Sequence, residues 1–230
     1  MSGCSTRGLV KKHVLAMPWP DRPIFRQGYS HHMILWTIQT LSAWEILQSR
    51  GFLQAKRSYV EKLFRPAYRW MQSQMRKRLE PPPSSASFPL WAWFQWQGSN
   101  KKRPDLRFSG HLPRGNTGAL IEFHADPAEV ILSDFELWHY VLNYWYLPNS
   151  IADEERFDAI LASLAASTPS EVTIRNRSFH SEIQKSWERI FNIRWSKPDI
   201  ASEFKEKQIQ ATLWRLNRNK VRHFTIFRAH

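Results

Sequence analysis

A chain of 230 residues, 42% hydrophobic and 14% aromatic, can bury one substantial core or two small ones and is too apolar for general disorder. Its single cysteine, Cys4, excludes an internal disulfide and a cysteine-based zinc site and suits a reducing, cytoplasmic compartment. No apolar run approaches the roughly 18 residues of a membrane helix. The formal net charge of +13 points to a polyanionic partner, RNA or DNA, or to a phosphorylated cofactor.

Residues 1–32 carry no helix or strand period and contain Pro18, Pro20 and Pro23. They are expected to be a flexible leader, or an extension ahead of a true start at Met33. The folded pattern of residues 33–230 begins with a strand over 34–39, in which Ile34, Trp36 and Ile38 share one face and Leu35, Thr37 and Gln39 the other. Ser42 and Glu45 have capping-box spacing for a helix with a Leu41, Trp44, Leu47 stripe, and Gly51 is placed to end it. Phe52–Ala55 reads as a short return strand. A longer helix is expected over 59–79, with Leu63, Ala67, Trp70, Met71 and Met75 inward, Pro66 in or near the first turn, and Arg65, Arg69, Arg76, Lys77 and Arg78 adding charge. The run PPPSS at 81–85 then breaks the pattern.

Residues 88–96, FPLWAWFQW, read as an aromatic strand, and 97–118 as a long basic loop of the kind that binds ligands. ALIEFH at 119–124 alternates, Asp126, Pro127 and Glu129 mark a helical turn, and Val130–Leu132 reads as a strand. Ser133 and Glu136 have cap spacing for a helix through Asn143. Ser150 and Asp153 open another over 151–165, with Phe157, Ile160, Leu161 and Leu164 inward. Residues 166–179 lack pattern. Ser181 and Gln184 have cap spacing for a helix carrying Ile183, Trp187, Ile190 and Phe191. The chain closes with two alternating stretches, Ile209–Trp214 and Val221–Arg228, separated by an expected turn, RLNRNK; both should join the larger sheet. The fold class is therefore α+β, one domain with a central, mainly antiparallel sheet, split or continuous, flanked by helices.

Phosphate-loop, dinucleotide, nucleophile-elbow and H-E-x-x-H patterns are absent, and no metal site is expected. His31–His32 reads as a bystander pair, and Asp134 with His139, five residues apart, does not share a helix face. Arg69 is a candidate phosphate clamp. Lys101, Lys102, Arg103 and Arg107 are candidate nucleic-acid contacts, and Trp91, Trp93 and Trp96 are placed to stack on bases or a nicotinamide ring.

The segments MILWTIQTLSAWEILQSRGFL, AYRWMQSQM, PLWAWFQW, IEFHADPAEVILSDFELWHYVLN and IQATLW, in that order, resemble an uncharacterised bacterial family, domain of unknown function 3841. At the level of fold, the opening strand, its helix, Gly51 and the late strands IQATLW and VRHFTIFR resemble compact ADP-ribosyltransferase-like domains. That resemblance implies NAD in a cleft between split sheets, with an Arg or His on the first strand and a Glu on a late one. Here the first strand offers Trp36 and Thr37 and the late strand Gln210. The implied roles are Trp36 or Thr37 framing the nicotinamide ribose, Trp91 stacking, Arg69 on the phosphates, Gln210 orienting the ribose or acceptor, and Glu122 as a reserve acid. The transition state would be oxocarbenium-like, governed by positioning and electrostatics, and the acceptor a nucleic acid or protein. The alternative is a noncatalytic basic nucleic-acid-binding module; a structural role in protein interaction is the third reading.

Overall fold

The computed structural model describes residues 32–85, 87–163 and 177–230. The expected leader up to residue 31, Leu164, and the unpatterned stretch up to residue 176 lie outside the described residues. Alternation at the start of the sequence becomes β1 (Met33–Thr40), which runs directly into α1 (Leu41–Arg50). The cap of α1 is Thr40, not the expected Ser42: the Thr40 hydroxyl accepts from Ala43 N at 3.2 Å. Thr40 holds the extended conformation a cap requires, whereas Ser42 is already inside the first turn. Gly51 ends the helix at φ 78, where a side chain would be strained.

β2 (Phe52–Leu53) follows, and the chain then makes two short 3-10 turns before α2 (Arg65–Arg78). The helix thus starts six residues later than the pattern suggests, with Pro66 in its first turn, and Leu63 stands 77% exposed rather than inward. The remaining elements are β3 (Leu90–Gln95), β4 (Thr117–Ala125), β5 (Ile131–Asp134), α3 (Phe135–Leu142), α4 (Ile151–Ser163), α5 (Arg177–Ser186), β6 (Ile209–Leu213), β7 (Leu216–Asn217) and β8 (Val221–Arg228). Asp134 rather than Ser133 caps α3, since its carboxylate accepts from both Glu136 N and Leu137 N. Ser181 lies inside α5, so its cap spacing is incidental.

Six strands form one antiparallel sheet in the order β5-β6-β3-β1-β4-β8, and β2 pairs with β7 in a separate ribbon. The last two long strands are therefore not a hairpin. β6 inserts between β5 and β3, β8 adds to the far edge against β4, and the segment between them forms β7, a 3-10 turn and the crossing. The sheet is continuous within β5-β6-β3 and within β1-β4-β8, where β1 pairs with β4 along its whole length. Between those blocks, β1 and β3 are in register at one pair, Trp36 with Trp93. β1 and β3 nonetheless remain neighbours in the one sheet.

Each sheet face has its own core. On one, Leu35, Ile121, Phe123 and Ala211 pack beneath Trp44 and Leu47 of α1 and beneath the small ribbon. On the other, Trp70, Met71 and Met75 of α2 join Leu137, Trp138 and Val141 of α3, Ile183 of α5 and the following turn carrying Trp187 and Ile190. Burial of each such large side chain stabilises the fold by about 1.5–3 kcal/mol. No helix among the described residues is long and apolar enough to cross a membrane.

Candidate functional site

Directly opposed residues in an antiparallel sheet point to the same face. The register places Ser133 opposite Gln210, Gln210 opposite Trp93, Trp93 opposite Trp36, Trp36 opposite Glu122, and Glu122 opposite His223. These six residues form a row across all six strands, and its midpoint is the Trp36–Trp93 pair that joins the two blocks. The row brings together four of the sequence-predicted residues, Trp36, Trp93, Glu122 and Gln210.

Within the row the polar groups are held unequally. The Trp36 indole donates to Glu122 Oε2 at 3.0 Å, and Arg222 donates to Glu122 Oε1 at 3.1 Å. Glu122 is therefore fixed between an indole and a guanidinium. Gln210 is partly exposed, and its side-chain amide makes no hydrogen bond among the described residues. Beside it, the Ser133 hydroxyl is fully buried with no hydrogen-bond partner. Aromatic rings surround the midpoint: Trp93 lies 4.6 Å from Trp96 and 5.1 Å from Phe135, centroid to centroid, and Trp96 lies 5.0 Å from His111. Three strand spacings separate Gln210 from Glu122, about 14 Å, so the two do not act on one bond.

Thr37 faces the opposite side of the sheet. It is 1% exposed, and its hydroxyl donates to the Trp91 carbonyl at 2.8 Å, from β1 to β3. It works as a clasp between the two blocks. Trp91 shares the face of Trp93 but is packed against Tyr68 and Trp138, at 5.9 and 5.0 Å. Arg69 lies on the solvent side of α2, away from the row.

The basic loop before β4 reaches β8, in the β1-β4-β8 block, on the same face as the row. Arg103 donates to Thr225 Oγ1 at 3.3 Å, and Thr225 is opposite Leu120, two residues along β4 from Glu122 and on the row's face. Lys101 is exposed, and Lys102 sits 5.7 Å from the Phe94 ring. Arg107 closes on Asp105 at 2.6 Å. Hydrogen bonds from the Arg107 side chain and backbone hold the Asp105 carboxyl well below the usual carboxylate range, and the pair raises the arginine in turn. Arg107 is thereby neutralised locally, unlike Lys101 and Lys102.

The row also contains residues that the sequence did not single out. Trp93 stood among three tryptophans with equal claims, and only register selects it. Ser133 read as a helix cap. Behind them, Lys207 Nζ donates to Asp134 Oδ2 at 2.6 Å and to the Trp195 carbonyl at 2.8 Å, while Gln95 Nε2 donates to the Phe204 and Lys207 carbonyls. Nothing local in the sequence marks Lys207 as buried. Asp134 and His139 do not meet as an acid–base pair, because Asp134 serves Lys207 and the α3 cap, and the His139 ring lies by the Glu136 carbonyl. An open depression of about 470 Å³ is lined by Ser196 to Glu203 and shares no residue with the row. No cluster of His, Cys, Asp and Glu suited to a metal occurs among the described residues.

The model of the family Domain of unknown function (DUF3841) matches residues 34–222. The chain belongs to that family, as the order of its matching segments leads one to expect. No curated protein and no solved structure gives a significant match.

Proposed function

We propose that this chain is an ADP-ribosyltransferase-like, NAD-using protein of the bacterial cytoplasm, acting at the row centred on the Trp36–Trp93 pair of β1 and β3, with a nucleic acid or protein as acceptor. One observation carries the reading. The first strand and a late strand, the two that such domains use, contribute Trp36 and Gln210 to a single row, with only Trp93 between them.

The residues present suit the nicotinamide riboside end of NAD. Trp93 and its aromatic neighbours suit a flat ring, and the unbonded Gln210 amide offers both a donor and an acceptor to hydroxyls. When bound, NAD supplies an ADP-ribosyl group whose bond to nicotinamide breaks with the electron pair leaving on nicotinamide, while an acceptor oxygen or nitrogen provides the new pair. Gln210 orients hydroxyl groups but brings no charge to the reacting centre. Glu122 orients the Trp36 indole and lies too far along the row to take that place. Arg103, held at Thr225 of β8, supplies a guanidinium for phosphate. Transfer then rests on positioning, and turnover is expected to be slow compared with a site bearing a carboxylate.

Titration of the full chain with NAD, followed by tryptophan fluorescence and calorimetry, tests this. Saturable binding is expected, weakened by Gln210→Ala, and nicotinamide release in the presence of an RNA, DNA or protein acceptor should disappear in the same variant. Absence of saturable NAD binding overturns the proposal. If RNA or DNA binding remains in that case, the noncatalytic basic module takes its place.

A further inference from the structure

Residues 56–78 hold eight cations, Lys56, Arg57, Lys62, Arg65, Arg69, Arg76, Lys77 and Arg78, against one acid, Glu61. A tenth of the chain thus carries seven of the thirteen net positive charges. None of the eight forms an ion pair among the described residues; the ion pairs there use Arg107, Arg156, Arg189, Lys207, Lys220 and Arg222.

These charges are ordered rather than scattered. At about 100° per residue, Arg65, Arg69 and Arg76 lie within about 40° of one another around α2. The buried residues Ala67, Trp70, Met71, Gln74 and Met75 occupy the opposite side. The arginines therefore form a stripe about 16 Å long, held outward by the core beneath it. Arg76 is braced against the Trp214 ring, at 5.9 Å from its centroid, and Arg65 Nε donates to the Val60 carbonyl. The turns ahead of the helix extend the charge through Lys56, Arg57 and Lys62 and add Tyr59, which is 69% exposed. An exposed aromatic among unpaired cations provides a stacking platform beside a phosphate track.

We infer that the outer face of α2 and the turns before it bind single-stranded nucleic acid through its phosphates, with Tyr59 stacking on a base. A membrane surface fits less well. An interfacial helix requires an apolar face turned to lipid, and that face of α2 is buried in the core. The inference rests on the transferase reading only in regarding the bound strand as the acceptor; binding itself requires no NAD.

The test uses the full chain without NAD and a fluorescently labelled mixed-sequence 20-nucleotide RNA, with anisotropy read across a salt series. Each phosphate contact on a single strand contributes about 0.7 to the log–log salt slope. The triple variant Arg69→Gln, Arg76→Gln, Lys77→Gln should lower that slope by about 2 and weaken binding roughly ten- to a hundred-fold at 0.1 M salt. The matched variant Lys185→Gln, Lys197→Gln, Lys205→Gln removes the same charge from exposed sites elsewhere and should change both much less. Tyr59→Ala should weaken binding without altering the slope. Equal losses in the two triple variants would show diffuse charge and overturn the inference. So would unchanged RNA binding in the first triple, or acidic phospholipid vesicles bound through those residues in preference to RNA. Failure of NAD binding alone leaves the surface intact and refutes only the transferase reading.

Discussion

Two ion pairs in different regions close at the same 2.6 Å, Lys207 with Asp134 where β6 begins and β5 ends, and Arg107 with Asp105 in the basic loop. Their surroundings are opposite. The first pair's side chains are 1% and 3% exposed, the second pair's 89% and 29%. Distance alone therefore says little about energy. Lys207 and Asp134 have lost their water, and each depends on its partners: the Trp195 carbonyl for the lysine, and two backbone amides of α3 for the carboxylate. Removal of either charge alone leaves the other stranded in a poorly polarisable interior. Arg107 and Asp105 can exchange each other for solvent at little cost.

The sharpest break in that comparison is Asp134→Ala, which strands Lys207 and removes the α3 cap. It should destabilise the fold by about 3–5 kcal/mol, read as a large fall in denaturation midpoint. The double variant Asp134→Asn, Lys207→Met removes both charges together, keeps a side-chain oxygen for the α3 cap and should cost markedly less; equal losses in Asp134→Ala and the double variant would contradict the burial argument. Thr37→Val removes the clasp between the sheet blocks and should cost about 1–2 kcal/mol. Faster amide exchange should be confined to β1 and β3, and exchange accelerated uniformly over the sheet would refute the clasp.

An intermediate case lies between α4 and α5. Burial pushes the Asp153 carboxyl up, but hydrogen bonds from Asn149 N, Tyr146 Oη and Arg156 outweigh it and hold the group below its ordinary value of 3.8. A carboxyl lowered on folding stabilises the native state above its unfolded pKa and loses that contribution as pH falls through the folded value. The stability gap between the protein and Asp153→Asn should therefore be constant near neutrality and close below about pH 4. A gap unchanged down to pH 2 would show that the carboxylate's charge is irrelevant. At the weak end, Arg107→Ala should leave the melting temperature unchanged, and a clear drop would mean that the loop pair supports the fold after all.

Period-two alternation located β1, β4, β6 and β8, and local chemistry located the Gly51 stop, Pro66 in the first turn of α2 and the Asp126 turn, whose carboxylate accepts from Ala128 N. These features are set by a few neighbouring residues. The caps were less legible because serine and its neighbours compete for one role: Thr40 prevailed over Ser42, and Asp134 over Ser133, according to which residue stays extended at the helix boundary. The crossing between β6 and β8 was illegible because a six-residue polar stretch reads as a turn unless its pairing with distant β2 is known. The site was half legible. Trp36, Gln210 and Glu122 were named from the sequence, and alternation along β1 already turns Thr37 away from Trp36, but the shared row and the place of Trp93 are matters of register between strands far apart in the chain.

That remoteness has a kinetic side. Trp36 and Glu122 are 86 residues apart, and Gln95 reaches Lys207 across 112. Sheets assembled from such distant partners pay their loop-closure entropy before any pairing rewards it, and they characteristically fold in roughly milliseconds to seconds. Trp36 and Trp93 can come to face one another only when both blocks have formed. Late quenching of those indoles during refolding should then mark the moment at which the two halves of the sheet join.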